Sequence, residues 1–279
     1  MPLEMQPLQP EDLEAWVRIH YQAFKNTTIG CLWNREPSPE SFTLTAQTRG
    51  RELLSQAPEA FFFKVVDTEL ESAPIAVAKW HVYEHERPED EVRSGFTLPA
   101  PFPEENRAAR EMFMASIFDS RWSVLGTKPH VILESLVCLP DHHRRGAGGM
   151  LVKWGTDKAD ELGLLSYLEA SPQGKGLYLK HGFQAIRELK SDLTDFGGAP
   201  DVHLVSWFVS DEITALLIVI RIDNDSATSK AILEHRSWEY ALLTSSRVLY
   251  SLEHPRGLCN YDCRNLWHSH IVQDEWCTS

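Results

Sequence analysis

The sequence predicts an α/β fold with an extra segment at its C-terminal end. Three observations carry the prediction. The apolar run Val131 to Pro140 (VILESLVCLP) leads directly into a basic, glycine-rich turn and then a helical pattern. On either side of it, short β-branched and aromatic runs alternate with helical stretches as far as Val209. From Asp211 onward that periodicity is lost.

The elements follow in order. Leu3 to Leu8 reads as a first strand, and Pro10-Glu11-Asp12 opens a helix, with proline and acids in its first turn. Leu13, Trp16, Ile19, Ala23 and Phe24 form the apolar stripe of that helix. A loop over Lys25 to Pro39 carries Cys31, Leu32 and Trp33, and a second helix is expected over Ser41 to Ser55. Ala60 to Asp67 and Ile75 to Tyr83 read as paired strands around an acidic turn. Residues 84–128 are polar, contain proline and are long for a loop, so an insertion is expected there, helical from Glu104 to Phe118. The Val131 strand, a helix over Met150 to Leu162, a strand over Leu164 to Ala170 and a short helix over Gly174 to Lys180 come next. Gly182 to Glu188 and Val202 to Val209 finish as antiparallel strands.

The turn after the Val131 strand, HHRRGAGGMLVKWG from His142 to Gly155, has the physical makings of an anion site. Glycines let the backbone approach a ligand closely and turn several N–H groups toward it. A helix start adds unpaired N–H groups and the positive end of its dipole. The glycines read G-A-G-G, which is neither the G-x-G-x-x-G of dinucleotide sites nor a P-loop. His143-Arg144-Arg145-Gly146-Ala147-Gly148 instead resembles the Q/R-x-x-G-x-G/A loop of the GNAT (GCN5-related N-acetyltransferase) superfamily, with His143 where Gln or Arg is usual. LEASPQGKGLYLKHGF, Leu168 to Phe183, is similar to that family's second signature, N-x-x-A-x-x-L-Y-x-K-x-G-F. Ser171 stands at its Asn and Gly174 at its Ala, while Leu177, Tyr178, Lys180, Gly182 and Phe183 match outright.

The resemblance covers roughly Pro2 to Val209 and implies a mixed, twisted GNAT-type sheet flanked by helices over residues 1–210. It implies acetyl-coenzyme A as cosubstrate, its pyrophosphate held by His143, Arg144, Arg145, Gly146, Ala147, Gly148, Gly149 and Met150. Leu136, Val137 and Cys138 would bind the pantetheine arm through their backbone, with Ser171, Leu177 and Lys180 completing the cofactor side. Tyr178 would lie beside the thioester sulfur, where a phenol of pKa about 10 can pass its proton to a departing thiolate of pKa about 8.5.

The resemblance implies an amine as the acceptor. An alkylamine of pKa about 10 is mostly protonated at neutral pH, and exposing its lone pair costs about 4 kcal/mol. A positioned carboxylate can take that proton, an effect worth about 10²–10⁴-fold. Glu134 is the candidate base, the one acid between Val131 and Pro140. Strand alternation puts it on one face with Ile132, Leu136 and Cys138, either half-buried with a raised pKa or open to a cleft. Phe24 and Trp33 are candidate contacts for the amine. The expected activity is direct acetyl transfer to a small-molecule primary amine. A GNAT module that binds coenzyme A or a partner without turnover, and a protein acetyltransferase, are the other readings.

Composition bounds the partners. A net charge of −13 argues against nucleic acid and anionic membrane surfaces and suits a cationic small substrate. The five cysteines show no disulfide framework, no signal peptide is read, and Ala215 to Ile220 is too short an apolar run to span a bilayer. A cytoplasmic monomer or homodimer is expected. Cys259-x3-Cys263 with His268, His270 and Cys277 matches no usual zinc spacing, so no metal is expected, and 211–279 is read as a weakly ordered extension or small appendage.

Overall fold

Strand β4 (His130–Cys138) is the central strand of the sheet, and the glycine turn follows its C-terminal end. A computed structural model describes residues 2–55, 58–98, 102–199, 202–209, 251–254 and 257–260. The chain divides into two units, Met1–Ile222 and Asp223–Ser279. In the second unit the described residues form a two-stranded antiparallel hairpin, Ser251–His254 with Gly257–Asn260. The rest of the expected C-terminal extension, with Cys263, His268, His270 and Cys277, lies outside the described residues.

The first unit holds β1 (Leu3–Pro7), β2 (Ala60–Asp67), β3 (Pro74–Tyr83), β4, β5 (Ser166–Ala170), β6 (Gln184–Ser191) and β7 (Val202–Val209). They form one seven-stranded sheet in the order β1-β2-β3-β4-β5-β7-β6. Every neighbouring pair is antiparallel except β4 and β5, which are parallel. The helices are α1 (Leu13–Phe24), α2 (Pro39–Ser55), α3 (Glu89–Ser94), α4 (Arg107–Val124), α5 (Ala147–Leu162) and α6 (Lys175–Lys180). Among the described residues no helix is long and apolar enough to cross a membrane.

Parallel neighbours need a crossover connection, and α5 supplies it. Its buried stripe of Ala147, Leu151, Val152 and Ala159 packs on Ala78, Trp80 and Leu133 on one sheet face. Gly155 makes that fit possible: a Cβ there would stand 2.2 Å from the Trp80 ring, whose Nε1 donates to the Leu151 carbonyl (3.1 Å). On the opposite face, Trp16, Val17 and Ile19 of α1 pack with Phe42 of α2 and Val77 of β3. Ala109, Phe113 and Ile117 of α4 cover Leu189 of β6 together with Leu32 and Leu193.

Three expectations change. Helix α5 begins at Ala147, so the glycines form its first turn and are not a separate loop ahead of it. Helix α4 runs on to Val124, capped at its start by the Asn106 side chain, which accepts from the Ala109 N–H (3.2 Å). The third change is a bulge. Lys79 pairs with Ser135 but Trp80 with Leu133, so Glu134 is the extra residue on β4. Alternation inverts there. Val131, Leu133, Leu136 and Cys138 belong to the α5 face, while Ile132 and Val137 pack on the other side. The single face expected for Ile132, Glu134, Leu136 and Cys138 therefore does not exist.

Candidate active site

A cavity of about 1800 Å³ runs across the sheet from the start of α5 to the inner faces of α1 and α4. Its origin is a fault in the sheet. β4 and β5 pair only from Val131 with Ser166 to Leu133 with Leu168. Beyond that, β4 continues to Cys138 against β3 alone, and β5 ends at Ala170. The backbone of Leu136, Val137 and Cys138 on the β5 side thus faces the cavity in place of a strand.

The first turn of α5 closes one end. Gly146 has φ +100° and Arg144 φ +60°, a left-handed backbone that favours glycine at the first of these. No side chain caps the helix. Its first intrahelical bond is from the Met150 N–H to the Gly146 carbonyl (3.2 Å), so the N–H groups of Ala147, Gly148 and Gly149 precede the ladder. Gly148 sits close to its neighbours: a Cβ would stand 3.0 Å from Leu177 and 3.7 Å from Leu136. His143 donates from Nε2 to the Cys138 carbonyl (3.1 Å), which ties the turn to the end of β4.

Arg145 is used elsewhere. It donates to Asp67 at the end of β2 (2.5 Å) and to His142 Nδ1 (2.7 Å), and it does not line the cavity. The Arg145 hydrogen bond holds the Asp67 carboxyl below its ordinary value. Met150 also lies off the cavity wall. Of the cofactor residues expected from sequence, His143, Arg144, Gly146, Ala147, Gly148, Gly149, Ser171, Leu177, Lys180, Leu136, Val137 and Cys138 line it.

Tyr178 is buried, packs edge-on to Phe183 (5.9 Å, 70°) and lines the cavity. Gly174 explains itself here, since a Cβ would meet the Tyr178 ring at 2.7 Å. Burial raises the Tyr178 phenol, so it remains protonated. Burial also pushes the Cys138 thiol up to about 11, partly offset by Arg145, which leaves a packing thiol and no thiolate nucleophile.

The far end is built from side chains. Glu134 opens to the cavity, and its carboxylate meets Lys79 Nζ (2.5 Å), His81 Nδ1 (3.5 Å) and Arg121 Nη1 (3.8 Å). Burial alone would raise its pKa, but the neighbouring His81, Lys79 and Arg121 outweigh burial and hold it at about 2. Of the two environments read from the sequence, a half-buried carboxyl with a raised pKa and one open to a cleft, the structure has the second. Arg121 of α4 is held in turn by two bonds to Glu169 of β5 (3.1 and 3.0 Å). His81 is 6% exposed, and its Nδ1 lies 2.6 Å from the Tyr83 hydroxyl. Burial lowers His81 to about 4 against the pull of Glu134, so it is neutral at neutral pH. Its Nε2 is buried with no hydrogen-bond partner. Leaving such a group unpaired costs about 1–3 kcal/mol.

Around this cluster the wall is aromatic. Tyr21, Phe24, Trp33, Phe102 and Phe113 line it, with Tyr21 edge-on to Trp33 (5.5 Å, 82°). Both residues expected to meet the amine, Phe24 and Trp33, are on this wall, and the buried Trp33 Nε1 has no hydrogen-bond partner among the described residues. Lys79, His81, Arg121 and Glu169 were not foreseen. The signal for two of them lies in AVAKWHVY: Lys79 and His81 are the polar alternates of an otherwise apolar strand.

The sequence profile described as the Acetyltransferase (GNAT) family matches residues 30–183, more than half of the chain. No curated protein matches the sequence. Among solved structures, mosquito arylalkylamine N-acetyltransferase like 5b is 11% identical, with TM-score 0.50 over 75% of this chain and 99% of that one. Histone acetyltransferase HPA2 and related acetyltransferase from Corynebacterium glutamicum ATCC 13032 is 19% identical, with TM-score 0.46 over 75% and 96%. YncA from Salmonella typhimurium, solved with its cofactor acetyl-CoA, is 15% identical, with TM-score 0.44 over 75% and 94%. On the family match, and with both signatures meeting in one cavity, the chain belongs to the GNAT family and its enzyme class is that of an N-acetyltransferase.

Proposed function

We propose that the protein transfers an acetyl group from acetyl-coenzyme A to a small-molecule primary amine, both held in the cavity at once. The observation that carries this is the parting of β4 from β5 at the uncapped, glycine-built start of α5, with Tyr178 on the wall of the same cavity. The cofactor residues fit the group. Gly146 and Gly148 keep the turn open to a pyrophosphate, and the Ala147, Gly148 and Gly149 N–H groups are free of the helix ladder to meet it. The backbone of Leu136 to Cys138 suits the amides of a pantetheine arm. Bound acetyl-coenzyme A supplies the thioester.

The chain's own residues do the rest. The aromatic wall takes the organic part of the amine and excludes water. Glu134, fixed in its ionised form by Lys79 and Arg121, supplies the negative charge that favours drawing a proton from the ammonium. Tyr178, kept protonated by burial, donates its O–H to the departing sulfur. Ser171 and Lys180 border the cofactor side. An aromatic amine is favoured over a polyamine on the lining, where the cations Lys79, Arg87, Arg110 and Arg121 are already matched to acids.

The experiment is a thermal-shift titration with acetyl-coenzyme A, followed by thiol release with a panel of amines. Stabilisation by acetyl-coenzyme A with amine-dependent thiol release is the expected result. Stabilisation without thiol release from any amine would leave a coenzyme-binding module and end the enzymatic reading.

A further inference from the structure

We infer that the acceptor is a long apolar amine, with its nitrogen at the Glu134 end of the cavity and its body laid along helix α4. The inference rests on the acetyl-transfer reading above and names the substrate class of that same site.

The inserted helix carries the argument. Arg110, Phe113, Met114, Ile117, Phe118 and Arg121 of α4 all line the cavity. Residues three and four apart are neighbours on a helix surface, so these six make one continuous stripe. A helix rises about 1.5 Å per residue, so the stripe follows the cavity for about 16 Å between Arg121 and Arg110. Charge marks its two ends, and the four residues between them are apolar. At one end Arg121 is bonded to Glu169 (3.0 Å) and lies 3.8 Å from Glu134. At the other, Arg110 is bonded to Glu105 (2.7 Å). Both cations have their acids, so the stripe offers an acceptor apolar contact along its middle.

That middle is a packed surface. Phe113 and Ile117 are buried with Leu32 and Leu189, and Phe118 stacks on Phe96 (5.2 Å, 16°). Met114 stays partly exposed between them. The far wall is fixed by backbone: Trp33 forms a bridge with Glu105, and the Asn106 N–H donates to the Leu32 carbonyl (2.7 Å). Trp33 therefore belongs to the Arg110 end of the stripe, and Tyr21 packs edge-on against it there. An extended chain gains about 1.2 Å per bond, so about 13 bonds separate an amine at Glu134 from that wall. A body the size of a phenylethyl group reaches Ile117, about 6 Å along the stripe, and leaves Met114, at about 10 Å, uncovered. Room is not limiting. The cavity of about 1800 Å³ exceeds the roughly 300–1,000 Å³ usual for one small ligand, as a site for cofactor and acceptor together requires.

The test uses the full chain with butylamine, octylamine, dodecylamine and phenethylamine, each below its micelle-forming concentration, and reads enzyme-dependent thiol release from acetyl-coenzyme A. A methylene moved from water to an apolar surface strengthens binding by up to about fourfold, so kcat/KM should rise at least about 10²-fold from butylamine to dodecylamine. Met114→Trp and Met114→Asp, the first filling the stripe and the second charging it, should each lower kcat/KM for dodecylamine by about tenfold or more. Butylamine, which ends short of Met114, should stay within about twofold. Met114→Leu should keep the wild-type preference, and coenzyme A affinity by calorimetry reports the integrity of each variant. A kcat/KM that is flat or falls from butylamine to dodecylamine overturns the long-amine inference and leaves the acetyl-transfer reading intact. Equal losses for the two amines in both Met114→Trp and Met114→Asp overturn it as well. Coenzyme A binding with none of the four amines acetylated also overturns it, and the wider amine panel above then decides the acetyl-transfer reading by itself.

Discussion

The two ends of the cavity are made of different material. The end proposed for the cofactor is backbone: the first turn of α5, the unpaired edge of β4, and glycines whose role is to carry no side chain. The end proposed for the acceptor is side chains: Lys79, His81, Glu134, Arg121 and Glu169, drawn from three strands and one helix and held by mutual contacts. A backbone site needs a few residues adjacent in sequence and is indifferent to most others. A side-chain site needs residues that meet only after folding, and its properties belong to the cluster, not to any one member.

The largest expected effect tests the backbone end. Gly148→Val puts branched atoms where a single Cβ already reaches 3.0 Å from Leu177. Acetyl-coenzyme A affinity should fall by more than about 10²-fold on calorimetry, about 2.8 kcal/mol or more. Near-normal affinity in that variant would mean that side chains, and not the turn, hold the cofactor.

The next effect tests the side-chain end. Glu134→Gln should leave coenzyme A affinity unchanged and lower kcat/KM at neutral pH by about 10²-fold, with the loss shrinking toward high pH. Removing its charge leaves Lys79 without its acid, while Arg121 keeps Glu169, and takes away the negative charge proposed to draw the proton from the ammonium. Loss of coenzyme A affinity in Glu134→Gln would erase the division between the two ends. Tyr178→Phe should lower kcat by about tenfold where sulfur departure limits the rate, with binding intact; an unchanged kcat returns Tyr178 to packing alone.

The smallest effect is in stability, and it separates the ends by pH. Burial lowers both His81 and His130 from ordinary histidine values to about 4. Between pH 6.5 and 4 the unfolded chain therefore binds protons that the folded chain refuses, so stability falls as pH falls through that window. The Glu134 carboxyl, held at about 2, adds a further loss below pH 4.5. The melting temperature should decline steadily below pH 6.5, and less steeply in His81→Phe. An equal slope in wild type and variant would show that His81 is not buried neutral.

Legibility from sequence follows the same division. The glycine turn and L-Y-x-K-x-G-F are contiguous, so Gly146, Gly148, Tyr178 and the strand leading to them could be read in order. The paired strands over Ala60 to Asp67 and up to Tyr83 were plain from β-branched and aromatic runs with an acidic turn between. What failed was whatever depended on one residue of register. The bulge at Glu134 has no glycine to announce it, and it moves Leu136 and Cys138 to the α5 face. Arg145 reads as a phosphate ligand by position, but Asp67, seventy-eight residues earlier in the chain, claims it. The charge state of Glu134 depended on Lys79, His81 and Arg121, none adjacent to it in sequence.

The central claim is that cofactor and amine are held by two separately built ends of one cavity. Amide hydrogen exchange read by mass spectrometry, with acetyl-coenzyme A added first and an accepted amine's acetylated product second, tests it most directly. The account predicts that acetyl-coenzyme A protects peptides covering Leu136 to Cys138 and His143 to Met150 while leaving those of Lys79 to Tyr83 and Phe113 to Arg121 unchanged. The acetylated product should then protect the second set alone. Protection of both sets by acetyl-coenzyme A, or of neither, would contradict it.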